Sequence, residues 1–245
     1  TTAANNTAVG SAALTANTTG AGNVAIGAIA LDANTTGANN TAVGFDALGL
    51  NTTAANNTAI GQDSLQTNTT GAGNTGVGVN SLGATTTGSN NVAVGFLALD
   101  ANTTGGTSVA IGDNALSVST TASFNTAVGS NSMNANTSGQ YNVAVGWQTL
   151  DANTTGAENT AAGWSSLGVN TTGSFNAGFG GGTLDANTTG ATNTAMGFKA
   201  LTGNTTAANN TACGANALKT NTTGTRLTAV GAGALFDSTT SSDNT

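Results

Sequence analysis

Asn-x-Thr/Ser triplets recur along this chain with a constant step. Eleven begin at Asn17, Asn34, Asn51, Asn68, Asn102, Asn136, Asn153, Asn170, Asn187, Asn204 and Asn221, and every one of those numbers is a multiple of 17. Such a triplet accepts an N-linked glycan when it lies on the surface of a secreted protein. The same amide has a second use. Stacked on its own equivalent one repeat away, it forms an internal ladder that caps a turn, as Asn side chains do in stacked β-structure. Glycans spaced ~4.8 Å apart would collide unless they fanned outward, which favours the ladder. Four further triplets, Asn-Asn-Thr, begin at Asn5, Asn39, Asn56 and Asn209.

Other chemistry has few residues to work with. There is no histidine, and the ten carboxylates are scattered. Glu158 has no evident carboxylate partner, and no nucleophile is paired with a base. The glycines around Gly180-Gly181-Gly182 lack the following lysine and the strand–helix setting of a phosphate loop. No enzyme activity, cofactor or metal is expected. Cys213, the single cysteine, sits in a column of apolar residues and is read as a small core residue, with no disulfide. Net charge is −7, with only Lys199, Lys219 and Arg226 positive, so phosphate neutralisation and nucleic-acid binding are excluded. No apolar run approaches the ~20 residues of a membrane-spanning helix.

Aromatic residues carry the best hint of a ligand. Phe45, Phe96, Trp147, Trp164 and Phe198 share one column of the repeat, the eleventh, and Phe124, Tyr141 and Phe175 share the fifth. Rings exposed on a polar surface suit sugar stacking; they equally suit packing between chains. Thr ladders on a regular scaffold can also match ice. The two Thr that open each repeat are adjacent, however, so only one rank of them can face outward.

The elements that place these residues follow from the period. Fourteen repeats of 17 residues run without insertion or deletion over residues 1–238, and a partial fifteenth occupies 239–245, giving a single array over 1–245. The unit reads roughly T-T-G-A-x-N-T-A-V-G-x-x-A-L-x-A-N. Column ten is always Gly, column fourteen is Leu except at Met133, and column eight is Ala except at Gly76 and Gly178. Column eleven accepts Asp113 and Trp147 alike, so it faces solvent. Tandem Thr, Asn and Gly disfavour helix. The stretch N-T-A-V-G reads as a short strand, and A-L-x-A as a second one. A strict period then predicts an all-β fold: a β-solenoid, or β-roll, of fourteen coils in parallel, in-register stacking. At ~4.8 Å per coil the rod would be roughly 67 Å long. Its thin core would hold column nine, the Leu column and some Ala. Acidic residues in column fifteen, Asp32, Asp100, Asp151 and Asp185, never fall in consecutive coils, which avoids stacked like charges. Asp46 and Asp63 do, so column twelve must be solvated. The invariant Gly of column ten either supplies a backbone angle closed to other residues or, with column eight, makes a smooth strip where another chain approaches. The strip would make the rod a bundle, most naturally a trimer.

The phrases Val24-Ala25-Ile26-Gly27, Thr41-Ala42-Val43-Gly44 with Ala47-Leu48, and Val143-Ala144-Val145-Gly146 resemble the head repeats of YadA-like trimeric autotransporter adhesins. The whole unit, with N-T-T-G between phrases, is also similar to repeats in phage-type and bacterial tail-fibre proteins. The resemblance implies a β-roll, usually trimeric, displayed outside the cell or on a virion as a fibre, often for attachment. The expected function is a structural segment of an extracellular fibre or filament that associates with itself, side by side or end to end. The alternatives are an adhesin or tail-fibre shaft that binds surface glycans, and an ice-binding solenoid.

Overall fold

The computed structural model describes residues 3–244, in two compact units that divide between Phe124 and Asn125. Each is all-β, with no helix among the described residues. The first holds strands β1 Thr7–Val9, β2 Val24–Ile26, β3 Thr41–Val43, β4 Thr58–Ile60, β5 Thr75–Val77, β6 Val92–Val94 and β7 Val109–Ile111. The second holds β8 Thr126–Val128, β9 Val143–Val145, β10 Thr160–Ala162, β11 Ala177–Phe179, β12 Thr194–Met196, β13 Thr211–Cys213 and β14 Thr228–Val230. Within each unit consecutive strands pair in parallel, always against the residue 17 positions on, as in Thr41↔Thr58 and Val143↔Thr160. This is the expected β-solenoid, one coil per repeat.

Each coil contains one strand, and the second one expected over A-L-x-A is absent. Columns twelve and fourteen adopt left-handed backbone, for example Asp46 (φ 54°) and Leu48 (φ 53°), so the chain coils where a strand would extend. Pairing between coils continues regardless. The Asp46 N–H donates to Ala28 O in the preceding coil (3.1 Å), and the Leu48 N–H donates to Ser64 O in the following one (3.0 Å). A left-handed leucine costs about 1–2 kcal/mol. Burial of its side chain, complete or nearly so from Leu31 to Leu218 and worth about 1.5–3 kcal/mol, offsets that.

The core differs from expectation in one column. Ala of column eight points inward and is fully buried, as at Ala42, Ala93 and Ala144. Strand alternation then turns columns seven and nine outward. Column nine, expected inside, lies on the surface: Ile111 is exposed by 39%, Val145 by 42% and Met196 by 46%, and Val43, Val77, Val94, Val128 and Ala162 are half-buried. Cys213, expected in the core, is likewise exposed. The interior is too narrow for a second large side chain per coil. It holds column eight, the Leu column, small residues of column thirteen such as Ala47, Ser64 and Thr149, and two buried rows of Asn.

The structure also explains the glycines. At column ten φ lies between 123° and 142°, and a Cβ on Gly95 would meet the carbonyl of Gly112 in the next coil. The close approach is made by the chain's own next coil, so columns eight and ten form no docking strip for another chain. At the two glycines of column eight, column-thirteen hydroxyls take up the space of the methyl group. A Cβ on Gly76 would sit 2.6 Å from Ser64 Oγ and 2.9 Å from Ser81 Oγ. Ser166 and Thr183 crowd Gly178 in the same way.

Candidate functional site

The amides of column seventeen form the ladder. In the second unit Asn153 Nδ2 donates to Asn136 Oδ1 (2.9 Å) and to Gly156 O (2.9 Å), and Asn170 Nδ2 donates in turn to Asn153 Oδ1 (2.9 Å). In the first unit Asn34, Asn51 and Asn68 repeat the pattern on Asn17, Asn34 and Asn51. Asn17 is 9% exposed; Asn34, Asn51, Asn68, Asn102, Asn136, Asn153, Asn170, Asn187, Asn204 and Asn221 are fully buried. Nδ2 is the atom a glycan would occupy, and here it is enclosed and hydrogen-bonded, so the folded coil has no room for sugar at these positions. By contrast Asn5, Asn39, Asn56 and Asn209 lie on the surface.

A second ladder runs through column six, which the sequence reading passed over. Asn23 Nδ2 donates to Gly37 O (2.9 Å), and Asn23 Oδ1 accepts the backbone N–H of Asn40 (2.9 Å). Gly37 O also receives Asn34 Nδ2 (3.0 Å), so the two ladders converge on one carbonyl per coil. The signal was present: column six is Asn in every repeat except at Ser108 and Leu227.

The outward face divides into distinct bands. Columns seven and nine make an uncharged strand face, mostly Thr and Val in column seven and apolar throughout in column nine. No charged residue occurs in columns seven to ten of any repeat. Thr of column one donates its hydroxyl into the stack, as Thr18 Oγ1 does to Thr35 O (2.9 Å) and Thr154 Oγ1 to Thr171 O (3.0 Å). Thr36, Thr53, Thr70, Thr155 and Thr172 of column two are exposed. The paired Thr therefore present a single outward rank, as their adjacency implied.

Column eleven is exposed, as its tolerance of any side chain implied. Phe45, Phe96, Trp147, Trp164 and Phe198 are all about half exposed. Phe45 and Phe96 stand between non-aromatic neighbours in their column. Trp147 and Trp164 occupy consecutive coils, and Trp164 reaches past Gly181 to Phe198 (ring centroids 6.4 Å). Lys199 Nζ lies 5.3 Å from the Phe198 ring centre. Tyr141, in column five, is also exposed and with Glu158 borders an open hollow of about 370 Å³.

Acidic groups sit beside these bands. Burial raises the carboxyls of Asp100, Asp151 and Asp185 above the ordinary 3.8, with Lys199 partly offsetting the effect at Asp185. Asp32 is raised by burial and by the nearby charge of Asp46. The stacked pair Asp46 and Asp63 is served by glutamine amides: Gln66 Nε2 donates to Asp46, and Gln62 Nε2 to Asp63 (3.0 Å). Arg226 pairs with Asp243 one coil on (2.5 Å) on an open surface, which raises the arginine and lowers the aspartate. Among the described residues no group of three His, Cys, Asp or Glu is placed to hold a metal ion, and no helix is long and apolar enough to cross a membrane. Comparison with protein-family models, with curated proteins and with solved structures finds no match to this chain.

Proposed function

We propose that the chain is a structural, non-enzymatic segment of an extracellular fibre, assembled from copies of itself through the strand face of columns seven and nine. The observation that carries this reading is that face. In the first unit Val9, Ile26, Ile60 and Ile111 are exposed on it, in the second Val145, Phe179, Met196 and Val230, with half-buried Val or Ala in other coils and no charge in any. Contiguous apolar surface of this kind marks an association site in a soluble protein. A second copy of the chain is the occupant whose spacing matches at every coil, because both surfaces repeat at the same ~4.8 Å. Parallel copies in register would also set small residues against small ones and the bulky stretch Phe179–Met196 against itself. Three copies about a common axis is the arrangement that the resemblance to YadA-like heads implies.

Sedimentation of the intact 23.3 kDa chain tests this, with an integral multiple of that mass expected. The variant Val94→Glu/Ile111→Glu should sediment as a monomer with an unchanged β-type circular dichroism spectrum. Cys213, exposed on the same face, reports direction. A short bis-maleimide should link Cys213 of one copy to Cys213 of another only when the copies run parallel in register. A wild-type chain that stays monomeric at high concentration would end the proposal.

A further inference from the structure

The second unit carries a surface that the fibre reading does not use. Its centre is Gly181. Column eleven holds Trp147, Trp164, Gly181 and Phe198 in four consecutive coils. The missing side chain at Gly181 lets the Trp164 indole lie down along the backbone. A Cβ at position 181 would collide with Trp164 Nε1, and it would lie 2.7 Å from Cε2 and 2.8 Å from Cδ1. A Cβ at Gly182 would sit 3.6 Å from Trp164 Cη2. Atoms of both indole rings therefore occupy or border the space that side chains at 181 and 182 would take. The indole stays 46% exposed. Trp147 lies one coil before it and Phe198 two coils after; the Phe198 ring centre is 6.4 Å from that of Trp164, with the ring planes tilted by 54°. The deck spans three coil steps, roughly 14 Å.

A polar groove runs beside it. Gln148 and Ser165 directly follow the two tryptophans, and with Asp151 and Asp185 they line a cavity of about 130 Å³. Gly168 opens this groove, since a side chain there would stand 3.2 Å from Asp185 Oδ1. Lys199 closes the far end of the deck over Phe198. Amide, hydroxyl, carboxylate and ammonium groups thus accompany three exposed rings on one column of the second unit.

We propose that Trp147, Trp164 and Phe198, with the groove alongside, bind a neutral glycan chain. Pyranose rings present a face of C–H bonds that stacks on aromatic rings and an edge of hydroxyls that both donate and accept. The deck supplies the first complement and the groove the second. A few placed polar groups beside apolar surface is how ligand sites fix orientation. Two carboxylates against one lysine disfavour an acidic sugar. Nothing in this proposal depends on the oligomeric state of the chain.

The chain contains two tryptophans, Trp147 and Trp164, so its indole fluorescence reports on this surface alone. The intact protein is titrated with cellohexaose, laminarihexaose, mannohexaose and chitohexaose, and with hexagalacturonate as the acidic probe. A saturable blue shift with at least one neutral probe is expected. Trp164→Ala should weaken it by about tenfold or more, read from Trp147. Gly181→Gln, which keeps every ring but lifts the indole from its bed, should weaken it comparably. Phe198→Ala serves as the second variant if Gly181→Gln alters the circular dichroism spectrum. The proposal is overturned by no saturable shift with any neutral probe, by a shift with hexagalacturonate only, or by full affinity in both a folded Trp164→Ala and a folded Gly181→Gln or Phe198→Ala protein.

Discussion

At the scale of single residues, the fold depends on amides that serve two coils at once. Within an unbroken stretch, as at Asn34, Asn51, Asn153 and Asn170, a column-seventeen Asn donates to the Asn before it and to a carbonyl three residues on, and accepts from the Asn after it. The ladder breaks where the column changes type. Position 85 is Thr, and Asn68 Oδ1 is left buried without a partner, while Asn102 Nδ2 makes a long 3.4 Å contact to Thr85 Oγ1. Position 119 is Ser, and Asn102 Oδ1 is left without a partner in the same way. Thr85→Asn should therefore stabilise the protein by about 1 kcal/mol, by supplying the missing donor. Asn153→Ala, in an unbroken stretch, removes three hydrogen bonds and strands Asn136 Oδ1, so it should cost about 2–4 kcal/mol. Denaturant midpoints measure both. A destabilised Thr85→Asn protein would show that the hydroxyl, and not the amide, suits that coil.

At the scale of the coil, the controlling fact is how little space lies inside. Ala, Leu and one small residue fill it, and a methyl group more or less is felt. Columns eight and thirteen share one volume. Ser64 Oγ and Ser81 Oγ, 2.8 Å apart, occupy the space that the column-eight methyl fills in other coils, and position 76 is Gly. Gly76→Ala alone should cost about 1–3 kcal/mol through overcrowding. Combined with Ser64→Ala and Ser81→Ala it should cost much less, since the hydroxyls that would clash are gone. This is a coupling that a double-mutant cycle isolates. Simple additivity of the substitutions would refute the shared-volume account.

At the scale of the molecule, each coil is stabilised by its neighbours, and stability sums along the stack. The acidic surface modulates that sum. Asp100, Asp151 and Asp185 have carboxyls raised above 3.8 by burial. A raised folded-state value means that the folded chain holds protons more tightly than the unfolded chain. Stability should then rise as pH falls from neutral through the raised range, and level off below about 3.8. Asp243, lowered by Arg226, acts in the opposite sense, but that pair is fully exposed and screened by solvent. Denaturation midpoints should be higher at about pH 4 than at pH 7. The Asp100→Asn/Asp151→Asn/Asp185→Asn variant should lose most of the difference. A wild-type protein that weakens steadily over that interval would contradict the assignment.

The 17-residue period by itself determined the solenoid, its parallel register and the placement of like over like, because a strict repeat lets every coil template the next. The exposure of column eleven was equally legible, since no packed position accepts both Asp113 and Trp147. The same test applied to column nine, which runs from Ala162 to Phe179, would have placed it outside; its apolar character suggested a core instead. Only the tertiary structure decided which strand face is inward. Hydrophobicity marks a residue as able to be buried, whereas the width of the coil decides whether there is room. Likewise the triplets beginning at Asn17 and Asn39 read alike as sequence. Their fates differ because column seventeen turns its amide into the stack, while column five, in left-handed backbone, turns outward. The bed for Trp164 at Gly181 depends on a neighbour 17 residues away, a distance at which sequence shows the gap but not what lies across it.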